Sequence, residues 1–225
     1  MINIAIDGPA GAGKSTVARE VAKELRIVYL DTGAMYRAVA LKSLRLGIDP
    51  NNEAGVLTFL DETEIRIAYE EGVQRIYLDG EDVSEAIREN RMSRAASDIS
   101  KLRPVRIKLV ELQREIARNC DVVMDGRDIG TYVLPDANFK FFLTATSEER
   151  ASRRYLELLA KGEKIKYEEV LADIIARDDN DSKRDFAPLK RAEDAELVDT
   201  SKYTAREVVA MLIDAIEEKR REGKC

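Results

Sequence analysis

The sequence predicts an α/β fold, with five short apolar strands of a parallel sheet separated by helical segments. Each strand candidate is followed by a polar residue, and ligands of such folds bind at the carboxyl edge of the sheet. The residues directly after the strands are therefore the first candidates for a functional site. The strand candidates are Ile2–Ile6, Ile27–Leu30, Asp121–Met124, Phe139–Leu143 and Leu197–Val198, and the polar residues at their ends are Asp7, Asp31, Asp125, Thr144 and Asp199.

The first strand runs into a complete GxxxxGK[ST] phosphate loop, and residues 15–25 after it have the apolar spacing of a helix. The glycines allow backbone N–H groups to surround a phosphate, and the positive end of the helix adds to this attraction. Lys14 is placed to contact β- and γ-phosphate oxygens, and the Ser15 hydroxyl to bind Mg²⁺. The motif predicts a P-loop NTPase fold that binds a nucleoside triphosphate. The nucleotide-binding candidates are Gly8, Pro9, Ala10, Gly11, Ala12, Gly13, Lys14, Ser15 and Thr16.

The composition limits the catalytic groups and the partners that the chain can use. The chain has 225 residues, a formal net charge of -6 and no histidine, so catalysis by a serine–histidine or cysteine–histidine pair is excluded. The acidic balance argues against a nucleic-acid partner, which would call for a concentrated basic face. Two cysteines, Cys120 and Cys225, match no disulfide framework or metal spacing, and no apolar run is long enough to span a membrane. We expect a cytoplasmic monomer without a membrane or nucleic-acid partner.

We expect residues 1–225 to form one domain of this fold, with an inserted α+β subdomain at about residues 63–100. Ile65–Ile67 and Ile76–Leu78, with the turn signal Asp79-Gly80, predict short antiparallel strands in that insert. Two helices follow, over Glu85–Ser100 and Pro104–Asn119.

A short helical lid is predicted at about residues 150–185. Ser147 is the predicted cap of its first helix, and a second helix over Tyr167–Arg177 leads into a charged turn, Asp178–Arg184. The last helix, Ala205–Lys219, has a buried apolar stripe and is predicted to be scaffold.

A phosphate loop is shared by kinases, switch GTPases and ATPases, and other features separate them. The chain lacks the Asn-Lys-x-Asp segment that reads guanine in switch GTPases. A small kinase instead needs arginines that hold an acceptor phosphate in line with the donor. Thr32 and Arg37 follow the second strand, and Arg127 and Asp128 follow the third, where Asp125 is also a candidate for Mg²⁺ through water.

Four segments in the same order resemble the bacterial cytidylate kinases, and the resemblance covers essentially the whole chain. They are the phosphate loop, Leu30–Arg37, Gly126–Thr131 and Arg177–Arg184 with Ala187–Leu189; the insert containing Leu78–Val83 resembles the enlarged NMP-binding subdomain of that family. The resemblance implies transfer of phosphate from ATP, with Mg²⁺, to CMP or dCMP in pyrimidine nucleotide metabolism. UMP is expected to be a poor substrate, because its O4 acceptor would face a carboxylate that suits the N4 amino group of cytosine.

The resemblance also implies residue roles. Asp128 would read the cytosine N4 amino group, with Ser97 and Arg106 at the rest of the base edge. The remaining substrate residues would be Thr32, Arg37, Arg127, Arg177, Asp181 and Arg184; Lys14, Arg127, Arg153 and Arg184 would act on the transferred phosphoryl group, with Arg154 as an alternative to Arg153.

Other interpretations stay open on the residues alone. Arg153 and Arg154 could pair with Glu148, Glu149 or Glu157 as ordinary helix partners, and the Asp178–Arg184 run is typical of a solvated turn. The chain could be a P-loop kinase for dTMP, GMP, AMP or shikimate, or a nucleotide-dependent binding switch that no monophosphate accelerates.

Overall fold

A computed structural model describes residues 1–70 and 73–223 of the chain. Cys225 therefore lies outside the described residues, and Cys120 is half-buried. The chain divides into two compact units. The first contains Met1–Tyr29 and the chain from Ala117 onward, and the second is Leu30–Ile116.

The helices and strands of the described residues have the following bounds. The strands are β1 (Asn3–Asp7), β2 (Val28–Asp31), β3 (Ile65–Glu70), β4 (Val73–Leu78), β5 (Glu81–Asp82), β6 (Val122–Gly126), β7 (Phe139–Thr144) and β8 (Glu196–Asp199). The helices are α1 (Lys14–Leu25), α2 (Thr32–Arg45), α3 (Glu53–Leu60), α4 (Arg91–Ile99), α5 (Arg103–Asn119), α6 (Ser147–Ala160), α7 (Tyr167–Ser182) and α8 (Ala205–Arg221).

A five-stranded sheet with the order β2-β6-β1-β7-β8 is formed within the part of the chain described. β1 is central and pairs in parallel with β6 and β7, with Ile4 opposite both Val123 and Phe139. Strand and helix side chains from α1 and α8 form one apolar core on this sheet, with Val17, Val21 and Leu212 almost fully buried. The fold class and the five predicted strands are confirmed. The strands form from apolar runs, which are buried when helices cover the sheet.

The second unit contains a separate antiparallel sheet, β3-β4-β5. β3 and β4 pair as predicted, with Ile67 opposite Ile76. The turn predicted at Asp79-Gly80 is confirmed, and it joins β4 to β5, a short strand that the sequence reasoning missed. Both residues have positive φ, 50° and 87°, which is the geometry of a tight hairpin turn.

Three predicted boundaries were wrong. The helix expected over Glu85–Ser100 is a short turn at Ala86–Arg88 followed by α4, because Glu89 adopts an extended backbone with ψ 144°. Thr146, not Ser147, caps α6: its hydroxyl accepts a hydrogen bond from the Glu149 N–H at 3.2 Å. The charged turn expected from Asp178 is largely helical, since α7 continues to Ser182.

Candidate active site

The phosphate loop follows β1 as predicted, and two of its glycines are required by geometry. Gly8 has φ 145°, and a Cβ there would lie 2.0 Å from the Leu143 carbonyl oxygen. Gly13 has φ 85° and precedes the first residue of α1. Side chains at these positions would strain the backbone or collide with β7. The loop therefore packs against the edge of the sheet, and the N-terminus of α1 directly follows the loop.

Lys14 is buried at the first residue of α1, and its Nζ donates a 2.7 Å hydrogen bond to the Pro9 carbonyl oxygen. Burial lowers the pKa of Lys14 well below its ordinary value, and the positive charge of Arg127 lowers it further. A phosphate in the loop would supply negative charge beside this amine and favour its protonated form. The environment of this amine therefore suits an anionic ligand, whose negative charge would offset the effects of burial and of Arg127.

Ser15, Asp125 and Tyr29 form a connected group in the first unit. The Ser15 hydroxyl donates to Asp125 Oδ2 at 2.8 Å, and the Tyr29 hydroxyl donates to Asp125 Oδ1 at 2.8 Å. A hydroxyl and a carboxylate are the hard oxygen donors that Mg²⁺ takes, alongside water and substrate phosphates. The described residues hold no cluster of three or more acidic, cysteine or histidine side chains suited to a metal. The pair therefore fits a Mg²⁺ ion that receives most of its ligands from phosphate and water.

Asp181 is the centre of an arginine cluster in the first unit. Arg127 Nε donates to Asp181 Oδ2 at 2.7 Å, and Arg184 Nη1 lies 3.7 Å from Asp181 Oδ1. Burial alone would raise the pKa of Asp181, but Arg127, Arg177 and Arg184 outweigh it and hold this pKa below the usual value. Burial likewise opposes the charge on Arg127, yet Asp181 keeps the pKa of Arg127 above its usual range. All four predicted residues are brought together.

Asp128 lies at the start of an unusual wide turn, Ile129–Val133, whose hydrogen bonds span five residues. Asp128 is buried, with φ -145° and ψ 23°. Asp7 anchors the turn: its two carboxylate oxygens accept hydrogen bonds from the N–H groups of Ile129 and Gly130 at 2.8 and 2.7 Å. Such turns occur frequently at functional sites. The loop that carries Arg127 and Asp128 is therefore fixed from the end of β1.

In the second unit, Asp31 at the end of β2 organises the start of α2. Its Oδ1 accepts a 2.9 Å hydrogen bond from the Ala34 N–H as the helix cap, and its Oδ2 accepts a 2.8 Å bond from Arg37 Nη2. Thr32 is the first residue of the helix and is buried. The buried Arg37 Nε has no hydrogen-bond partner among the described residues. Thr32 and Arg37 thus lie where the sequence predicts, with Arg37 oriented by Asp31.

Ser97 and Arg106 are brought together in the second unit through Ser100. Arg106 Nη1 donates to the Ser100 carbonyl oxygen at 3.2 Å, and the Ser100 hydroxyl donates to the Ser97 carbonyl oxygen at 2.8 Å. Arg106 is almost fully buried, with its guanidinium carbon 5.6 Å from the centre of the Tyr36 ring. Ser97 Oγ is buried and has no hydrogen-bond partner within the described chain. A buried hydroxyl left in that state is a natural contact for a ligand.

The two arginines of the predicted lid, Arg153 and Arg154, are placed differently. Arg153 donates to the hydroxyl and the carbonyl oxygen of Thr200 at 3.0 and 2.6 Å, and Arg154 forms a 2.8 Å ion pair with Glu157. The helix-partner interpretation of Arg154 is therefore confirmed. The role of Arg153 at the transferred phosphoryl group stays a prediction.

Sequence reasoning missed three residues that the geometry emphasises: Asp7, Arg150 and Asp178. The sequence predicts Asp7 only as a strand end and Asp178 only as the first residue of a charged turn, and it assigns no role to Arg150. Arg150 is one of a few charged residues that are almost fully buried. The residues directly before it in the sequence are also charged, so they do not indicate this burial. The available signal was the apolar spacing of α6, which places Arg150 and Ala151 on its buried side.

Comparison with known proteins identifies the family. The family model described as cytidylate kinase matches residues 4–218. The chain is 51% identical to the cytidylate kinase of Caldicellulosiruptor bescii over 213 residues, which is 95% of this chain and 94% of that protein. It is 54% identical to the cytidylate kinase of Caldanaerobacter subterraneus over 215 residues, covering 96% and 94%. The chain belongs to the cytidylate kinase family. The resemblance inferred from the four motifs is confirmed, and kinases for other acceptors and binding switches are not favoured.

Among solved structures, an uncharacterized protein from Eubacterium ventriosum aligns with a TM-score of 0.53 at 15% identity, covering 96% of this chain and 99% of that one. At that identity the likeness concerns the fold alone. No described helix of this family member has the length and apolar character that crossing a membrane requires.

Proposed function

We propose that the protein transfers the γ-phosphoryl group of ATP to CMP and dCMP, giving ADP and CDP or dCDP. The observation that carries the proposal is the arginine cluster on Asp181. Arg127 and Arg177 are near enough to the loop lysine, Lys14, for their charges to lower its pKa. A second phosphate group bound by these arginines would therefore lie beside the donor phosphates, as transfer between two phosphates requires and simple hydrolysis does not.

Within this proposal the phosphate loop and Lys14 bind the donor. Backbone N–H groups of residues 11–16 surround the β-phosphate, because Pro9 has no N–H and the Ala10 N–H donates to Asp178. The Lys14 ammonium group contacts the β- and γ-phosphate oxygens. Ser15 would bind Mg²⁺ directly and Asp125 through water; when bound, the ion neutralises charge on the phosphate oxygens. The 2.8 Å contact between their side chains supports this assignment.

The acceptor phosphate is assigned to arginines, whose planar guanidinium groups make paired, charge-assisted bonds to phosphate oxygens. Arg127, Arg177 and Arg184 serve this role in the first unit, and Arg37 with Thr32 in the second. Asp181 accepts from a sugar hydroxyl while orienting the arginines. No general base is needed, because the attacking phosphate oxygen is already anionic at neutral pH. Positioning and charge stabilisation supply the rate, with Lys14, Arg127, Arg153 and Arg184 as the catalytic candidates.

The base is assigned to Asp128, Ser97 and Arg106. A carboxylate accepts from the N4 amino group of cytosine, whereas uracil would present a second acceptor. Leaving such groups unpaired costs about 1–3 kcal/mol, or roughly ten- to hundred-fold in discrimination. The buried Ser97 hydroxyl supports a base contact at this position.

The remaining assignments concern assembly and location. We propose a monomer that acts without nucleic acid in the cytoplasm, where pyrimidine nucleotides are metabolised; the net charge of -6 supports the absence of a nucleic-acid partner. Sedimentation of the purified protein at micromolar concentration tests the monomer.

The decisive experiment measures ADP release from Mg-ATP with CMP, dCMP, UMP, dTMP, AMP, GMP or shikimate supplied one at a time. We expect strong turnover mainly with CMP and dCMP. Asp128→Ala is expected to lower kcat/KM for CMP and to reduce the preference for CMP over UMP. Preferred turnover of another acceptor would refute the substrate, and no acceleration by any acceptor would favour a binding switch.

A further inference from the structure

Arg150 is a buried cation that none of the assigned roles uses. It lies in the first turn of α6 and is 4% exposed. Its Nε donates to the Ala145 carbonyl oxygen at 2.9 Å, and its Nη2 donates to the Ser147 hydroxyl at 3.1 Å. These two contacts hold the guanidinium group against the start of its own helix. The remaining nitrogen, Nη1, faces the phosphate loop.

Arg150 and Asp178 together bind both backbone groups of Ala10. Arg150 Nη1 donates to the Ala10 carbonyl oxygen at 2.8 Å and to Asp178 Oδ2 at 2.6 Å. Asp178 Oδ1 accepts from the Ala10 N–H at 3.2 Å. The three groups form a closed ring of hydrogen bonds that includes a mostly buried ion pair. Charge-assisted bonds of this kind are shorter and stronger than neutral ones and favour one geometry.

The ring connects the donor loop to the helix that carries the acceptor residues. Asp178 directly follows Arg177 on α7, and Asp181 lies within one further turn of the same helix, bonded to Arg127. On the loop side, a Cβ at Gly11 would lie 3.1 Å from Arg150 Cβ, so the loop is packed closely against α6. A shift of α7 along the loop would therefore have to break the bonds to Ala10.

We propose that Arg150 and Asp178 are positioning residues that keep the arginine cluster of α7 in register with the phosphate loop. The inference rests on the proposed kinase function and adds to it two residues that do not touch substrate. Their effect is on the alignment of donor and acceptor in the transition state. Misplacement of reacting groups by about 1 Å can cost on the order of 100-fold in rate.

Asp178→Asn tests the proposal, since it keeps the size of the side chain and removes the charge that faces Arg150. We expect kcat for CMP to fall about 100-fold, with KM for ATP and CMP changed less than about 3-fold. Asp179→Asn is the matched control: Asp179 is the next residue on α7, and its exposed side chain forms an ion pair with the exposed Lys183. This control should change kcat less than 2-fold.

The double variant distinguishes a positioning pair from two separate structural residues. If the pair acts as a unit, Arg150→Lys combined with Asp178→Asn should lose no more than about 3-fold beyond the worse single variant. A purely structural role predicts lowered Tm with unchanged kcat in the folded fraction, and that result would overturn the proposal. If Asp178→Asn does not fold, Asp178→Glu, which keeps the charge but moves the carboxylate, must give the loss of kcat.

The two hypotheses fail in different ways. Wild-type protein that forms no CDP refutes the kinase function and, with it, this role for the pair. Wild-type protein that forms CDP while Asp178→Asn and Asp178→Glu retain full kcat refutes the positioning pair alone.

Discussion

Arg127 Nε lies 2.7 Å from Asp181 Oδ2, and both side chains are mostly buried. The carboxylate fixes one edge of the guanidinium group, so the other edge has a defined direction. Arg184 approaches the second carboxylate oxygen, Oδ1, at 3.7 Å. One aspartate thus orients two of the arginines that we assign to the acceptor phosphate.

Asp181→Asn should lower kcat/KM for CMP about 100-fold, because Arg127 and Arg184 lose the charge that orients them and repel each other. Steady-state kinetics with CMP varied at saturating ATP measure the effect. Asp185→Asn, a substitution of an exposed aspartate a few residues further on, serves as the control and should stay within 2-fold of wild type. Equal losses in both variants would argue against a specific role for Asp181.

Asp31 has two functions that substitutions can separate. Asp31→Ser keeps an oxygen to cap α2 but removes the ion pair with Arg37, whereas Asp31→Ala removes both. We expect both variants to raise KM for CMP about 10-fold, through a disoriented Arg37, and only the alanine variant to lose about 1 kcal/mol of stability. Urea unfolding and CMP titrations measure the two effects. An unchanged KM in both variants would remove Arg37 from the acceptor site.

Ser97→Ala should weaken CMP binding without destabilising the protein. The Ser97 hydroxyl is buried without a hydrogen-bond partner in the described residues, so its removal abolishes a desolvation cost of about 1–3 kcal/mol. We expect Tm to stay constant or rise while KM for CMP increases about 10-fold. Ser100→Ala is the contrasting variant, because its hydroxyl donates to the Ser97 carbonyl oxygen and its loss should lower stability by about 1 kcal/mol. A drop in Tm for Ser97→Ala would contradict this account.

Asp7 predicts a pH dependence of stability. Burial raises the pKa of Asp7 from 3.8 to about 7, so the folded protein holds a proton that the unfolded chain releases between these values. The stabilisation is complete below pH 3.8 and is lost as the pH rises through 7. Between pH 5 and pH 8 the free energy of unfolding of wild type should therefore fall by about 3 kcal/mol relative to Asp7→Asn, which cannot titrate. Urea unfolding across this range tests it, and parallel curves for the two proteins would refute it.

The strands and the phosphate loop could be predicted because local signals and the global fold agree there. Ile2–Ile6 is apolar except for Asn3, as expected of a strand buried on both faces, and the glycines after it allow the tight turns of a phosphate loop. The prediction of a turn over Asp178–Arg184 was wrong for the opposite reason. The charges of this segment are typical of a solvated turn, but Arg127 and Arg150, distant in sequence, provide partners that allow the helix to continue.

The candidate site residues likewise differ in how well the sequence predicts them. Arg127, Asp128 and Asp181 stand in motifs whose order along the chain resembles a family, so their grouping could be anticipated. Asp7 and Arg150 belong to no such motif. They are distinguished by their burial and by their hydrogen bonds to backbone groups of distant segments, and these contacts form only when the chain folds. The sequence around Arg153 could not indicate its contact with Thr200 for the same reason.

The central place of β1 in its sheet has a consequence for biosynthesis. Its two neighbours, β6 and β7, belong to the later half of the chain, whereas Leu30–Ile116 is one uninterrupted compact unit. On the ribosome, the second unit can therefore form its contacts before the first strand has any partner in its own sheet. β1 is then among the last strands to gain its partners, and the phosphate loop that follows it takes shape only after β6 and β7 have been synthesised.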